Sequence, residues 1–187
     1  QGPIGWTPLQ AANAYATMAR SGAIRDATVI MNDDRSSLRE RSGDMNLDPQ
    51  AVTLALEGLR DSIEKPYGTG NHITYEDGHT EPIVTAQGVI AWAKTGTAQA
   101  PGKRFDTNGD GMPDTDVNGL DHAWFVGLVG SAAERRPRYA IAVVLEYGGS
   151  GGRVAGPVAN QIILALQDLG YLPRPDAAPS GGKGAAR

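Results

Sequence analysis

Residues 139–147 restrict the fold more than any other segment of this chain. In a pleated strand, alternate side chains share a face. Tyr139, Ile141, Val143 and Leu145 fall on one face, and Ala140, Ala142 and Val144 on the other. Both faces are apolar, which predicts a strand covered on both sides rather than half-exposed. Residues 89–97 and 123–129 are two further strand candidates just upstream. The short charged link 131–138 suits a hairpin connection, and its Arg135, Arg136 and Arg138 read as a solvated turn.

Helices supply the cover. Thr7-Pro8-Leu9-Gln10 is a helix start, with Thr as N-cap, Pro at the first helical position and Gln three residues after the cap. Leu9, Ala12, Ala16 and Ala19 then form the expected apolar stripe, ended by Ser21-Gly22. Asp48-Pro49 opens a second helix with the same grammar, and its stripe is Val52, Leu56, Leu59 and Ile63. A last helix is expected over 154–169, with Val158, Ile162 and Leu166 facing the core and Gly170 as its stop. Residues 27–31 form a short strand candidate before a charged loop, 32–44. Residues 67–87 read as loop with a possible ribbon. The expectation is an α/β (α+β) fold, helices packed against an antiparallel meander over 1–172, with an acidic insertion at 101–121. After Pro173 the chain is Pro, Ala, Gly and Lys, so 173–187 is expected to be a disordered tail.

Length and charge narrow the function. At 187 residues the chain holds one domain or part of a larger one. Its 17 basic against 21 acidic residues leave no extended basic face for nucleic acid. Without cysteine there is no disulfide, thiolate metal site or cysteine nucleophile. No apolar run reaches the roughly 18 residues a membrane helix needs.

The chemistry concentrates at Lys94-Thr95-Gly96-Thr97-Ala98-Gln99. Thr95 and Thr97 share a strand face, Gly96 admits close approach to the backbone, and the long stem of Lys94 can bring its ammonium to the same place. That set suits a carboxylate-bearing substrate. Read alone, the tripeptide is accounted for better by a surface strand end with solvated Lys and Thr.

The surrounding blocks carry a resemblance. Thr7–Ala16 with Gly22, then 58–70 with Gly68-Thr69, then Lys94–Gln99, then Asp121-His122-Ala123-Trp124-Phe125-Val126-Gly127 and the glycine-rich turn at 148–152 follow in order. Together they resemble the penicillin-binding transpeptidases over residues 2–172, nearest to class B enzymes of elongation or division, with the elongation type favoured over the division type. The resemblance implies the penicillin-binding-protein/β-lactamase-like fold. It also implies a serine acyl-transfer enzyme acting on the D-Ala-D-Ala end of peptidoglycan stem peptides, and open to β-lactams. On that resemblance Thr95 and Thr97 bind the substrate carboxylate, Lys94 supplies positive potential, and the Thr97 N–H is an oxyanion donor. Gly96 leaves room for the acyl group. The parent would be membrane-anchored on the periplasmic face and work with the cell-wall synthesis machinery.

The family's Ser-x-x-Lys nucleophile and Ser-x-Asn loop have no convincing counterpart. Ser62-Ile63-Glu64-Lys65 has the spacing, but Ser62 closes a helix where the family's serine opens one, and Pro66 follows at once. Thr69-Gly70-Asn71 reads as a turn. The expectation is a C-terminal part of the transpeptidase domain, with nucleophile and anchor upstream, inactive alone.

Within the insertion, Asp106, Asn108, Asp110, Asp114 and Asp116 place oxygen ligands at alternate positions around a glycine-assisted turn, a pattern that suits Ca²⁺. A solvated acidic turn is the alternative, because Val117 occupies the position of the usual bidentate Glu. His122 reads as structural, and His72 and His79 lie in a polar loop without ligand spacing. Gly148–Gly152 reads as a strand-to-helix turn rather than a phosphate cradle. Two other functions stay open: a β-lactamase or β-lactam-sensing receptor, and a non-catalytic calcium-binding extracellular module.

Overall fold

The computed structural model describes residues 5–28, 42–117 and 120–174. Three long strands, β5 (Val89–Ala98), β8 (His122–Ser131) and β9 (Tyr139–Leu145), form an antiparallel sheet in the order β5-β8-β9. The shorter strands pair as ribbons: β1 (Ala23–Arg25) with β2 (Ser42–Asp44), β3 (His72–Thr74) with β4 (Thr80–Pro82), and β6 (Lys103–Phe105) with β7 (Thr115–Val117). The helices are α1 (Pro8–Ala19), α2 (Pro49–Glu64) and α3 (Gly156–Asp168). A π-helical turn, Gly151–Ala155, leads into α3.

The sheet is covered on both faces, as the two-sided apolar pattern of β9 requires. One face presents Ala91, Ala93, Phe125, Val129, Ile141 and Val143 to Ala159 and Ile163 of α3. The other places Ile90, Trp92 and Leu128 against Tyr15 and Met18 of α1 and Leu56 and Leu59 of α2. Ile63, one turn after Leu59, reaches the first cluster instead, so α2 serves both layers at the β5 side. Complete burial of a side chain such as Ile163 contributes about 1.5–3 kcal/mol.

Helix starts follow their local chemistry. The Thr7 hydroxyl accepts from the Gln10 N–H at 3.2 Å, while the Gln10 side chain accepts from the Thr7 N–H at 2.9 Å. Asp48 caps α2 by accepting from the N–H groups of Gln50 and Ala51 at 2.7 and 3.1 Å. Each cap meets donors that the first helical turn leaves without an intrahelical partner.

Several expectations need correction. In α1, Leu9 is exposed, and the inward face runs through Ala11, Tyr15 and Met18, with Thr17 buried as well. Burial of Thr17 is tolerated because its hydroxyl donates to the Asn13 carbonyl at 2.9 Å. In α3, Val158 and Ile162 face outward, and Gly156, Ala159, Asn160, Ile163 and Gln167 face inward. Small residues let α3 approach closely, and the two amides complete hydrogen bonds there. Asn160 accepts from the Thr85 N–H and donates to the Thr85 hydroxyl, both at 2.9 Å, and Gln167 donates to the Gln87 carbonyl at 2.8 Å. A short early strand lies at Ala23–Arg25, and of the expected 27–31 strand Ala27 and Thr28 are outside any strand. Residues 29–31, most of the charged loop and tail residues 175–187 lie outside the described residues. The ribbon expected within 67–87 is present as β3 and β4.

Candidate active site

The C-terminal half of β5 carries the Lys-Thr-Gly-Thr segment, held flat by β8. Lys94 pairs with Val126, Gly96 with Trp124 and Thr97 with Ala123. Beyond Ala93 the strand leaves the core: Lys94 and Thr97 are exposed, and Thr95 and Gly96 half-buried. An open cleft of about 410 Å³ borders this stretch, with Trp6, Tyr15 and Trp124 as its aromatic walls. Burial pushes the Tyr15 phenol up, so it stays neutral there.

Lys94 turns its ammonium toward the strand edge. Its Nζ donates to the Thr69 hydroxyl at 3.0 Å and to the Thr95 carbonyl at 2.9 Å. The Thr95 hydroxyl donates to that same Thr69 oxygen at 2.8 Å. Lys94 and Thr95 therefore converge on one side-chain atom, 25 and 26 residues upstream of them. Thr69 was absent from the candidate residues read from the sequence. Its signals in the sequence are its place in the Gly68-Thr69 block and the pair of glycines around it: a Cβ on Gly68 would overlap the Ser62 carbonyl, and one on Gly70 would lie 2.5 Å from Ile63 Cδ1. The turn is pinned to the end of α2, where the Gly70 N–H donates to the Ser62 carbonyl at 3.0 Å.

Gly96 is enclosed from two directions. A Cβ there would stand 3.2 Å from Trp124 Cβ. The glycine-rich turn crosses its other side, because a Cβ on Gly151 would overlap the carbonyl oxygens of Gly96 and Trp124. Gly152 passes close to Thr69, since a Cβ added to it would stand 2.9 Å from the Thr69 carbonyl oxygen. The turn at 148–152 is thus a strand-to-helix connection laid over the site's backbone, as its sequence context indicates.

Ser62 sits in the last turn of α2 with its hydroxyl fully buried, and that oxygen has no hydrogen-bond partner among the described residues. A nucleophile must reach a substrate, so Ser62 does not fit that role. No serine lines the cleft among the described residues. His122 is structural: its Nδ1 accepts from the Tyr147 N–H at 3.1 Å, and its ring meets Tyr147 edge-on. His79 stacks on Tyr75 at 4.2 Å, while Arg136 pairs with Glu134 in the hairpin turn.

The acidic insertion folds on itself. Asp106 accepts from the N–H groups of Gly109 and Gly111, each at 2.6 Å. Asn108 accepts from the Asp110 N–H at 2.9 Å, and Asp110 from the Met112 N–H at 2.7 Å. Asp114 accepts from the Thr107 N–H and hydroxyl at 3.0 and 2.8 Å, and Arg104 pairs with Asp116 at 3.0 Å. Backbone N–H groups hold the Asp106 carboxyl below its ordinary value, and Thr107 does the same for Asp114. Among the described residues no three His, Asp or Glu side chains gather as a metal would need. The loop's oxygens answer its own donors. Phe105 packs edge-on against Tyr147 at 5.3 Å, which ties the ribbon to the ends of β8 and β9.

A two-faced antiparallel sheet with a Lys-Thr-Gly-Thr edge strand defines a transpeptidase-like fold, and comparison with known proteins agrees. The family profile described as "Penicillin binding protein transpeptidase domain" matches residues 1–164, and the chain belongs to that family. Among solved structures it is similar to Pseudomonas aeruginosa PBP2 in complex with WCK 5153. There the identity is 27%, the TM-score 0.56, and the match covers 88% of this chain and 30% of that one. The apo transpeptidase domain of Burkholderia pseudomallei penicillin-binding protein 3 shares the fold at 24% identity and TM-score 0.58, over 90% of this chain and 44% of that one. The D,D-transpeptidase domain of a peptidoglycan glycosyltransferase from Eggerthella lenta does so at 22% and 0.57, over 92% and 35%. The chain thus spans less than half the length of each. No curated protein sequence matches it.

Proposed function

We propose that this chain supplies the Lys-Thr-Gly wall of a serine-type D,D-transpeptidase site. Its substrate would be the D-Ala-D-Ala end of a peptidoglycan stem peptide, with β-lactams as competing acyl donors. The observation that carries the proposal is the convergence of Lys94 and Thr95 on Thr69 beside the exposed Thr97. It sets an ammonium and hydroxyls at one strand edge, where a substrate carboxylate gains charge-assisted hydrogen bonds.

In this reading the Thr97 N–H faces the oxygen that becomes negative when the acyl carbon turns tetrahedral, a contribution of about 10²–10³ in rate. Lys94 lowers the cost of the substrate's negative charge next to the reacting carbonyl. The serine that forms the ester comes from outside residues 1–187, in a longer class B, elongation-type protein anchored at the periplasmic face of the membrane. The burial of Ser62 supports that assignment.

Fluorescent penicillin with adduct mapping tests the proposal. This chain alone takes no label, and the longer protein takes one label on a serine outside residues 1–187. A label on Ser62, or an unlabelled longer protein, contradicts it.

A further inference from the structure

Thr69 offers something that Thr95 cannot. A hydroxyl has one hydrogen to donate and two lone pairs to accept with. Thr69 Oγ1 accepts from Lys94 Nζ at 3.0 Å and from the Thr95 hydroxyl at 2.8 Å, so both acceptor positions are filled. Its own hydrogen remains, and it donates no hydrogen bond among the described residues. Thr95, in contrast, directs its hydrogen to Thr69. In this geometry Thr95 presents an oxygen lone pair rather than a donor, and a lone pair repels a carboxylate.

We infer that Thr69 donates the second hydroxyl hydrogen to the substrate carboxylate, beside Thr97 and in the place the sequence motif suggests for Thr95. The inference rests on the transpeptidase reading and names a binding residue of that site. The side chain is exposed, so a ligand can reach it. Its backbone is fixed by two glycines that have no room for a Cβ, by the Gly70-to-Ser62 hydrogen bond and by Gly152 packed on its carbonyl. A donor held this way loses little freedom on binding. Thr69 also engages one of the three ammonium donors of Lys94, and the Thr95 carbonyl a second. The third is left to add to the positive potential at the same anion.

The test compares two acyl donors on the longer protein: benzylpenicillin, which carries the carboxylate, and its methyl ester, which does not. Thr69→Val is expected to slow acylation by benzylpenicillin about tenfold, the scale of one charge-assisted hydrogen bond. It should slow the ester less, because the lost hold on Lys94 acts on both donors and the lost carboxylate contact on the acid alone, so the acid-to-ester ratio falls. Thr69→Ser, which keeps the hydroxyl, should restore the ratio. Because both rates come from one sample, partial unfolding lowers them together and leaves the ratio intact; Thr69→Ala serves if valine does not fit. An unchanged ratio in both the Val and Ala variants, or no recovery with serine, overturns the inference. Failure of the unsubstituted protein to react with either donor removes the transpeptidase reading itself, and the inference with it.

Discussion

Gly151 lies so close over Gly96 that a Cβ on it would stand 2.9 Å from the Gly96 nitrogen and overlap the Gly96 carbonyl oxygen. A turn that begins α3 thereby forms the back of a strand end whose other side borders the cleft. The strand end and the C-terminal helix cannot shift independently, because backbone rather than flexible side chain fills the gap between them.

Gly151→Ala puts this contact to the test. Overpacking against fixed backbone costs about 1–3 kcal/mol. Chemical denaturation of this chain should show a loss in that range, and a change within about 0.5 kcal/mol would mean that the turn has slack.

The two faces of α3 make opposite predictions. Ile163 is fully buried, and Ile163→Ala should cost about 2–5 kcal/mol. Ile162 is 38% exposed, and Ile162→Ala in the same chain should cost less than about 1 kcal/mol. Denaturation midpoints in the reverse order would restore the Val158-Ile162-Leu166 face as the inner one.

That pair of residues also shows where the sequence could be read and where it could not. β5, β8, β9 and the α2 stripe were legible because their large apolar residues do the packing themselves. The inner faces of α1 and α3 were not, since Ala11, Gly156 and Ala159 gain burial by being small, and Thr17, Asn160 and Gln167 by completing hydrogen bonds. At the site, Lys94–Thr97 stood out as a motif. Thr69 did not, because its partners lie 25 and 26 residues away and only the fold brings them together. Gly96 also faces Trp124 across the strand pair, and the Trp124 Cβ would stand 3.2 Å from a Cβ added there.

The acidic loop should loosen in acid. Asp106 has its folded-state pKa below the unfolded one, because the Gly111 and Gly109 N–H groups favour the ionised carboxylate. Its support for the loop is therefore complete above the ordinary carboxylate range near about 4 and is lost as pH falls through the lowered folded value. NMR titration should show the Asp106 carboxyl protonating below that range, with the Gly109 and Gly111 amide signals moving in step. An Asp106 titration at the ordinary value, with those amides unmoved, would contradict the loop's hydrogen bonding.

The central claim is that the β5 strand end works as a wall of an acyl-transfer site, and Lys94→Ala tests it most directly. Lys94 is exposed, so its removal should barely move the thermal midpoint. In the protein that carries the whole site, the rate of serine acylation by benzylpenicillin should fall by about 10²-fold or more, the scale of a removed group that acts on the reacting centre. An acylation rate within about twofold of the unsubstituted protein, with the fold intact, would show that this strand end does not serve the reaction.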